Sequence, residues 1–244
     1  MLKKILSVLA AMLMLGYMIY AIVTFSDRNS EVRCKEVIVV VKDSSEHQFV
    51  REAEIRDILK REHLKLVGKR LKSIDYGLVE TAAASHRLVR RAECYSSPSG
   101  IVYINVWQHI PIIRILSRDA NYYLDQDGKR TGLSPHSAAD VVVATGEIKK
   151  ALTVRKLYKM ALLMQKDPFW DAQIEQISVE PNGEWILIPR VGDYEILLGL
   201  PNNMEEKLQR LRLFYEKGLS KVGWERYSKI NLKYENQIVC TKKE

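Results

Sequence analysis

The sequence predicts an α+β protein in which a single N-terminal transmembrane helix precedes a small mixed module and a strand-rich domain. Three observations predict this class. An uncharged apolar run lies near the amino terminus, short Val/Ile-rich runs alternate with amphipathic segments up to residue 110, and apolar segments separated by Gly, Pro and Asp turns follow. The predicted segments are 1–27 (cytoplasmic leader and anchor), 28–33 (linker), 34–110 (first domain) and 111–244 (second domain, ending in a hairpin).

The anchor is predicted from Lys3, Lys4 and the run 5–25, in which 21 residues carry no charge. As a helix this run measures about 30 Å, the thickness of a bilayer's hydrocarbon core. The alternative is a cleaved signal peptide, but such peptides have apolar regions of about 7–15 residues and a small-residue cleavage site. The two lysines favour a cytoplasmic amino terminus, which leaves the bulk of the chain on the extracytoplasmic side.

The composition is that of a folded protein, with 47% hydrophobic and 28% charged residues. The net charge of +8 is spread along the chain, without a concentrated Lys/Arg block. This charge favours contact with acidic surfaces, but a nucleic-acid partner is not expected because no basic stripe with interleaved aromatic residues is present.

The first domain is predicted as strand, helix, helix, strand, strand. Residues 34–45 indicate a strand, residues 49–63 a helix with one apolar side, and residues 88–97 and 100–108 a hairpin with a Pro-Ser-Gly turn.

The second helix of this domain is expected to begin at Ser73 as its N-cap. Ile74, Leu78 and Ala82 repeat every four residues after it and are expected to form its buried face.

The second domain combines more strands with two helices, predicted at 151–166 and 204–219, and Pro168 follows the first of them. Pro189 is expected at a strand end or on an edge strand, because proline lacks a backbone N–H.

The sequence predicts no catalytic residue, no metal ligand and no cofactor. The segment 125–128, Asp-Gln-Asp-Gly, favours a hairpin turn over a calcium loop because Lys129, Arg130 and Thr131 follow it. The five histidines are scattered and are interpreted as surface or packing residues, and the adjacent Ser85 and His86 are expected to point in different directions.

Cys34, Cys94 and Cys240 lie far apart and lack the spacing of a zinc site. In an oxidising compartment they allow at most one intramolecular disulfide. The favoured interpretation is that they are small buried hydrophobic residues.

The closing segment predicts a strand at 230–234, a turn at Glu235 and Asn236, and a last strand at 238–241. The last strand is expected to be an exposed sheet edge, next to which Lys242 and Lys243 discourage indiscriminate pairing.

Several phrases, taken in order, resemble the bacterial cell-division family FtsQ (DivIB in Gram-positive bacteria), in its Bacteroidetes-like form. The phrases AEIRDIL, LVGKRLKSIDYGLVE and LVRRAECY are similar to the POTRA domain of that family. The phrase INVWQHIPIIRI resembles its junction between domains, with His109 where Arg is frequent. The phrases YYLDQDGKRTGLS, IPRVGDYEILLG and KLQRLRLFYEKGLSKVGWERYSKINLKY resemble its β domain.

The resemblance implies a non-enzymatic division scaffold in the inner membrane at the septum, with most of the chain in the periplasm. It implies that the POTRA domain contacts FtsK or other early division proteins, and that the β domain binds FtsB and FtsL, partly by strand addition at the last strand. The implied partner-binding residues are Tyr234, Glu235, Asn236, Gln237, Ile238, Val239, Cys240 and Thr241, with the helix 204–218 nearby.

Two other classes remain as alternatives. One is a POTRA-containing outer-membrane assembly or secretion component, although little chain is left for a barrel. The other is a membrane-anchored cell-wall enzyme.

Overall fold

A computed structural model describes residues 9, 11–21, 32–43 and 48–243. Residues 11–21 are helical, and none of the helices in the described ranges combines the length and the apolar character needed to cross a bilayer. The predicted anchor and linker lie partly outside the described residues, which leave out 5–8, 10 and 22–31. The chain divides into two units between Gln108 and His109.

The first unit is a three-stranded sheet with two helices. Strands β2 and β3 are antiparallel, β1 and β3 are parallel, and the sheet order is β1-β3-β2. The succession of strand, helix, helix, strand, strand is the one that the sequence predicts. The elements are β1 (Glu36–Val41), α1 (Glu52–Arg61), a 3-10 turn (Leu71–Ser73), α2 (Tyr76–Ala84), β2 (Val89–Ser96) and β3 (Ile101–Gln108).

The predicted start of α2 is wrong. Asp75 is the N-cap, and its carboxylate accepts a hydrogen bond from the backbone N–H of Leu78 at 3.0 Å. Ser73 lies in the preceding 3-10 turn, where its hydroxyl donates to the carbonyl of Arg70. Of the three residues predicted to be buried, Ile74 and Ala82 are buried, whereas Leu78 is 52% exposed and Val79 takes its place on the buried face.

All three cysteines are free thiols, of which Cys34 and Cys94 are buried and Cys240 is half-buried. Burial raises the pKa of each of them above its usual value of 9.0, and that of Cys94 reaches about 12. The raised pKa values keep these thiols protonated at neutral pH, as expected of residues that act as small hydrophobic side chains.

The stability of the first unit is expected to fall in alkali because of Cys94. The unfolded thiol ionises near pH 9 whereas the folded thiol stays protonated to about pH 12, so the contribution of the buried neutral thiol is present below pH 9 and is lost as the pH rises towards 12. Between pH 8 and pH 10 the free energy of unfolding should decrease by about 1.4 kcal/mol on this account. Denaturant titrations of the wild type and of Cys94→Ala at both pH values would measure it, and an identical alkaline loss in the two proteins would contradict the prediction.

The second unit is built on a nine-stranded sheet of order β12-β11-β10-β9-β8-β7-β4-β5-β6 in the described part of the chain. Pro189 ends β9, as predicted. Pro168 follows one helix, as predicted, and is also the first residue of a second, short helix. The N-cap of this short helix is Asp167, whose side chain accepts a hydrogen bond from the N–H of Phe169. The strands are β4 (Pro111–Ser117), β5 (Ala120–Asp125), β6 (Arg130–Thr131), β7 (Val143–Gly146), β8 (Ile174–Val179), β9 (Trp185–Pro189), β10 (Glu195–Gly199), β11 (Tyr227–Asn231) and β12 (Val239–Lys242), and the helices are α3 (Ala151–Gln165), α4 (Pro168–Gln173) and α5 (Met204–Phe214).

Helices connect two of the three parallel strand pairs of this sheet, since a parallel pair needs a crossover, whereas β4 and β7 are connected through β5 and β6. α3 and α4 connect β7 to β8, and α5 connects β10 to β11. One hydrophobic cluster joins these helices to the sheet, with Leu157 and Leu211 from the helices and Ile177, Leu187 and Ile230 from the strands all fully buried. A π-helical turn, Tyr215–Leu219, extends α5 towards β11.

Candidate partner-binding edge

Strand β12 is one end of the nine-stranded sheet. It pairs antiparallel with β11, where Asn231 faces Val239 and Ile230 faces Cys240, and no other strand of the described chain pairs with its far side. Alternate N–H and C=O groups of β12 therefore point away from the sheet, which is the arrangement that an added strand uses.

The predicted boundaries of the closing hairpin are wrong, although the predicted edge is present. β11 begins at Tyr227 and ends at Asn231, and the connection to β12 is the loop 232–238, not a two-residue turn. The chain leaves the strand at Leu232, which is fully buried and donates its N–H to the carbonyl of Leu197. Asn236 does have a turn conformation, with φ of 59°.

The structure brings the eight predicted partner-binding residues together as one continuous stretch of loop and edge strand. Tyr234, Glu235, Asn236 and Gln237 are exposed loop residues, and Ile238 is partly buried at the end of the loop. On β12, Val239 and Thr241 are exposed, whereas Cys240 is partly buried.

The helix side of this edge is apolar. Ile238 and Cys240 pack against the hydrophobic core together with Phe214 and Tyr227, whose rings lie 6.2 Å apart. The resemblance implies that the helix 204–218 lies near the site but does not identify the face that contacts it. Phe214 lies on the contacting face, because its ring is next to that of Tyr227 on β11. In the sequence, the only sign of this role is that Phe214 stands at the end of the amphipathic pattern of the helix.

The two lysines after the edge have different surroundings. Lys242 is exposed and has no ion pair with any described residue, which suits the predicted role against indiscriminate pairing. The ammonium of Lys243 lies 3.2 Å from the carboxylate of Asp193 and 3.5 Å from that of Glu225. The hydrogen bond to Asp193 raises the pKa of Lys243.

The Asp-Gln-Asp-Gly segment forms a hairpin turn, as predicted, but its first residue has a role that the sequence does not show. Asp125 is fully buried, and its Oδ1 accepts hydrogen bonds from the N–H groups of Asp127 and Lys129. Its Oδ2 lies 2.6 Å from Nδ1 of His109. His109, which is itself only partly exposed, is therefore the partner of a buried carboxylate.

The other candidate groups do not converge. The Ser85 hydroxyl donates to the carbonyl of Ala82, while Nε2 of His86 lies 3.9 Å from a carboxylate oxygen of Glu54. In the ranges that the structure describes, no three side chains of His, Cys, Asp or Glu are grouped so that they could hold a metal ion.

The fold and the open edge define a two-domain protein with a POTRA-like first domain and a sheet domain whose last described strand, β12, is paired on one side only. Residues 32–107 match the family model of the POTRA-like domain, and residues 110–241 match that of the FtsQ/DivIB C-terminal related domain.

The chain belongs to the FtsQ/DivIB family of cell-division proteins. A curated relative is the cell division protein FtsQ of Rhodothermus marinus, with 28% identity over 185 residues, which cover 70% of this chain and 67% of the relative.

Proposed function

We propose that this protein is a non-enzymatic scaffold of the division machinery that binds FtsB by strand addition at β12 and FtsL through the same domain. The observation that carries the proposal is the unpaired edge of β12 at one end of the sheet. A strand added there forms main-chain hydrogen bonds with β12.

Apolar residues on both faces of β12 support this assignment. On the helix side, the partly buried Phe214, Tyr227 and Cys240 offer an apolar surface for alternate side chains of the partner. On the opposite side, Val239 is 45% exposed. Each main-chain hydrogen bond contributes about 0.5–1.5 kcal/mol, and the burial of apolar side chains on both faces adds to this and selects the partner sequence.

The remaining parts of the proposal follow from the family and from the amino-terminal sequence. Residues 5–25 anchor the chain in the inner membrane, with the amino terminus in the cytoplasm and the two domains, 34–110 and 111–244, in the periplasm at the septum. The first domain contacts FtsK or other early division proteins, so that the scaffold connects early and late members of the machinery.

A proline scan from Val239 to Lys242 tests the strand-addition proposal. Alternate residues of an edge strand direct their N–H groups towards the neighbouring strand or away from it. Proline at an outward position removes a donor that only the partner uses, so the fold should persist while the affinity for a purified periplasmic segment of FtsB decreases about tenfold to a hundredfold. Titration calorimetry measures the affinity, and thermal unfolding reports the fold.

The matched control is Arg130→Pro, on the strand β6 at the opposite end of the sheet. This variant should bind the FtsB segment as the wild type does. Unchanged affinity throughout the β12 scan, or an equal loss with Arg130→Pro, would refute strand addition at β12.

A further inference from the structure

We propose that Arg210 of α5 is a positioning residue for the β12 edge, whose guanidinium holds the loop 232–238 in the shape that presents β12 to a partner strand. This inference rests on the proposed function, because the edge that Arg210 organises is the proposed binding site.

The guanidinium of Arg210 bridges three carbonyl groups of the loop. Its Nη1 donates to the carbonyl of Tyr234 at 2.6 Å and to that of Gln237 at 3.3 Å, and its Nη2 donates to that of Leu232 at 3.3 Å. These carbonyls lie at the start, the middle and the end of the loop. One side chain therefore connects the exit from β11 with the entry to β12.

The other connections of the loop to the fold lie at its two ends. At the start, Leu232 donates to the carbonyl of Leu197, and Lys233 donates its N–H to the side chain of Asn231 and its ammonium to the carboxylate of Glu184. At the end, Ile238 packs against the hydrophobic core. Within the described chain, the backbone N–H groups of 234–237 donate no hydrogen bond to the sheet or to the helices. The conformation of this part of the loop therefore depends on Arg210.

Arginine is suited to this role and lysine is not. The Arg210 side chain is 19% exposed, and its Nε lies 3.9 Å from a carboxylate oxygen of Glu206, which is too long for a hydrogen bond. The planar guanidinium presents N–H groups in fixed directions, whereas a lysine ammonium is a compact point charge. A lysine ammonium is a single nitrogen and cannot occupy the Nη1 and Nη2 positions together, so it loses either the bond to Leu232 or the bonds to Tyr234 and Gln237.

The helix that carries Arg210 is itself held firmly. Lys207, one turn earlier, is buried, and its ammonium donates to the carbonyls of Leu198 and Leu200 at 2.9 Å each. The start of α5 is thereby attached to the end of β10. Arg210 consequently acts from a rigid element on a loop that has little structure of its own.

Loss of the hydrogen bonds from Arg210 to the loop should weaken partner binding without unfolding the domain. A loop that samples several shapes must be ordered when the partner binds, and this ordering reduces the affinity. We expect Arg210→Lys to accelerate amide hydrogen exchange about tenfold at Leu232 and Lys233, the loop residues whose N–H groups are hydrogen-bonded. Binding of the FtsB segment should weaken about tenfold, while exchange in β8 and β9 stays at the wild-type rate.

The matched control is Arg212→Lys on the same helix. Arg212 pairs with Asp167 at 2.6 Å and with Glu216 at 3.0 Å and forms no hydrogen bond or ion pair with the described loop 232–238. This variant should leave both the loop exchange and the affinity at their wild-type values. Arg210→Gln, which also removes the fork of donors, should reproduce the effects of Arg210→Lys.

The outcomes separate this inference from the proposed function. If proline on β12 abolishes binding while Arg210→Lys changes neither loop exchange nor affinity, the positioning role is wrong and the strand-addition proposal stands. Weaker binding with unchanged loop exchange means direct contact with the partner, and equal acceleration in the loop, β8 and β9 means general destabilisation; both overturn the inference. If Arg210→Lys accelerates exchange in the loop but no proline on β12 changes the affinity, Arg210 does hold the loop and the strand-addition proposal fails.

Discussion

Replacing Asp125 with alanine is expected to lower the free energy of unfolding of the second unit by about 3 kcal/mol or more. The substitution leaves two backbone N–H groups, those of Asp127 and Lys129, without their acceptor and His109 without its carboxylate partner. Since Asp125 is fully buried, water does not readily replace these bonds. Native-state hydrogen exchange in β4 and β5 would measure the loss.

Two further variants identify the cause of this loss. Asp125→Asn keeps the shape and one acceptor oxygen, so it should cost about 1 kcal/mol, mainly through the bond to His109. Asp127→Ala, at an exposed position of the same turn, should change the stability by less than about 0.5 kcal/mol. Equal effects of Asp125→Ala and Asp127→Ala would show that the turn itself, and not the buried carboxylate, stabilises this corner.

The second large effect is expected for Trp185→Ala, which should cost about 3–5 kcal/mol. Trp185 is 1% exposed and lies on β9, opposite Gly199 of the neighbouring strand. Removing the indole leaves a large cavity between the sheet and the helices, which the surrounding strands cannot close completely. Denaturant unfolding followed by circular dichroism would give the change.

Trp224→Ala is the control for the loss of an indole. Trp224 is 38% exposed in the segment before β11, and its ring lies 5.2 Å from that of Tyr215. Its removal should cost about 1 kcal/mol, mostly through this aromatic contact. A cost for Trp185→Ala that is no larger than that of the control would contradict the assignment of Trp185 to the core.

Local sequence patterns predict most of the elements because their causes are local. The Val/Ile-rich runs, the helix periodicity and the proline at the end of β9 all depend on neighbouring residues, and the order of elements in both units follows from them.

The errors occur where two chemically similar signals compete or where the decisive contact is distant in sequence. Ser73 and Asp75 are both good N-caps, and only the buried face selects Asp75. The loop before β12 is longer than a tight turn because Leu232 bonds to Leu197 of another strand. Arg210 and His109 reach partners 22 and 16 residues away, respectively, and no local pattern indicates such contacts.

The parallel ladder between β10 and β11 has a consequence for the order in which the domain opens. It pairs Glu195 with Lys229, Ile196 with Ile230 and Leu197 with Asn231. The ladder that attaches β11 and β12 to the rest of the sheet therefore contains three residue pairs. Short ladders at the end of a sheet open at a lower free-energy cost than central ones. A partner that binds β12 only while β10 and β11 are paired would raise the free energy of opening by mass action. Binding at the edge should therefore slow hydrogen exchange in the β10–β11 ladder.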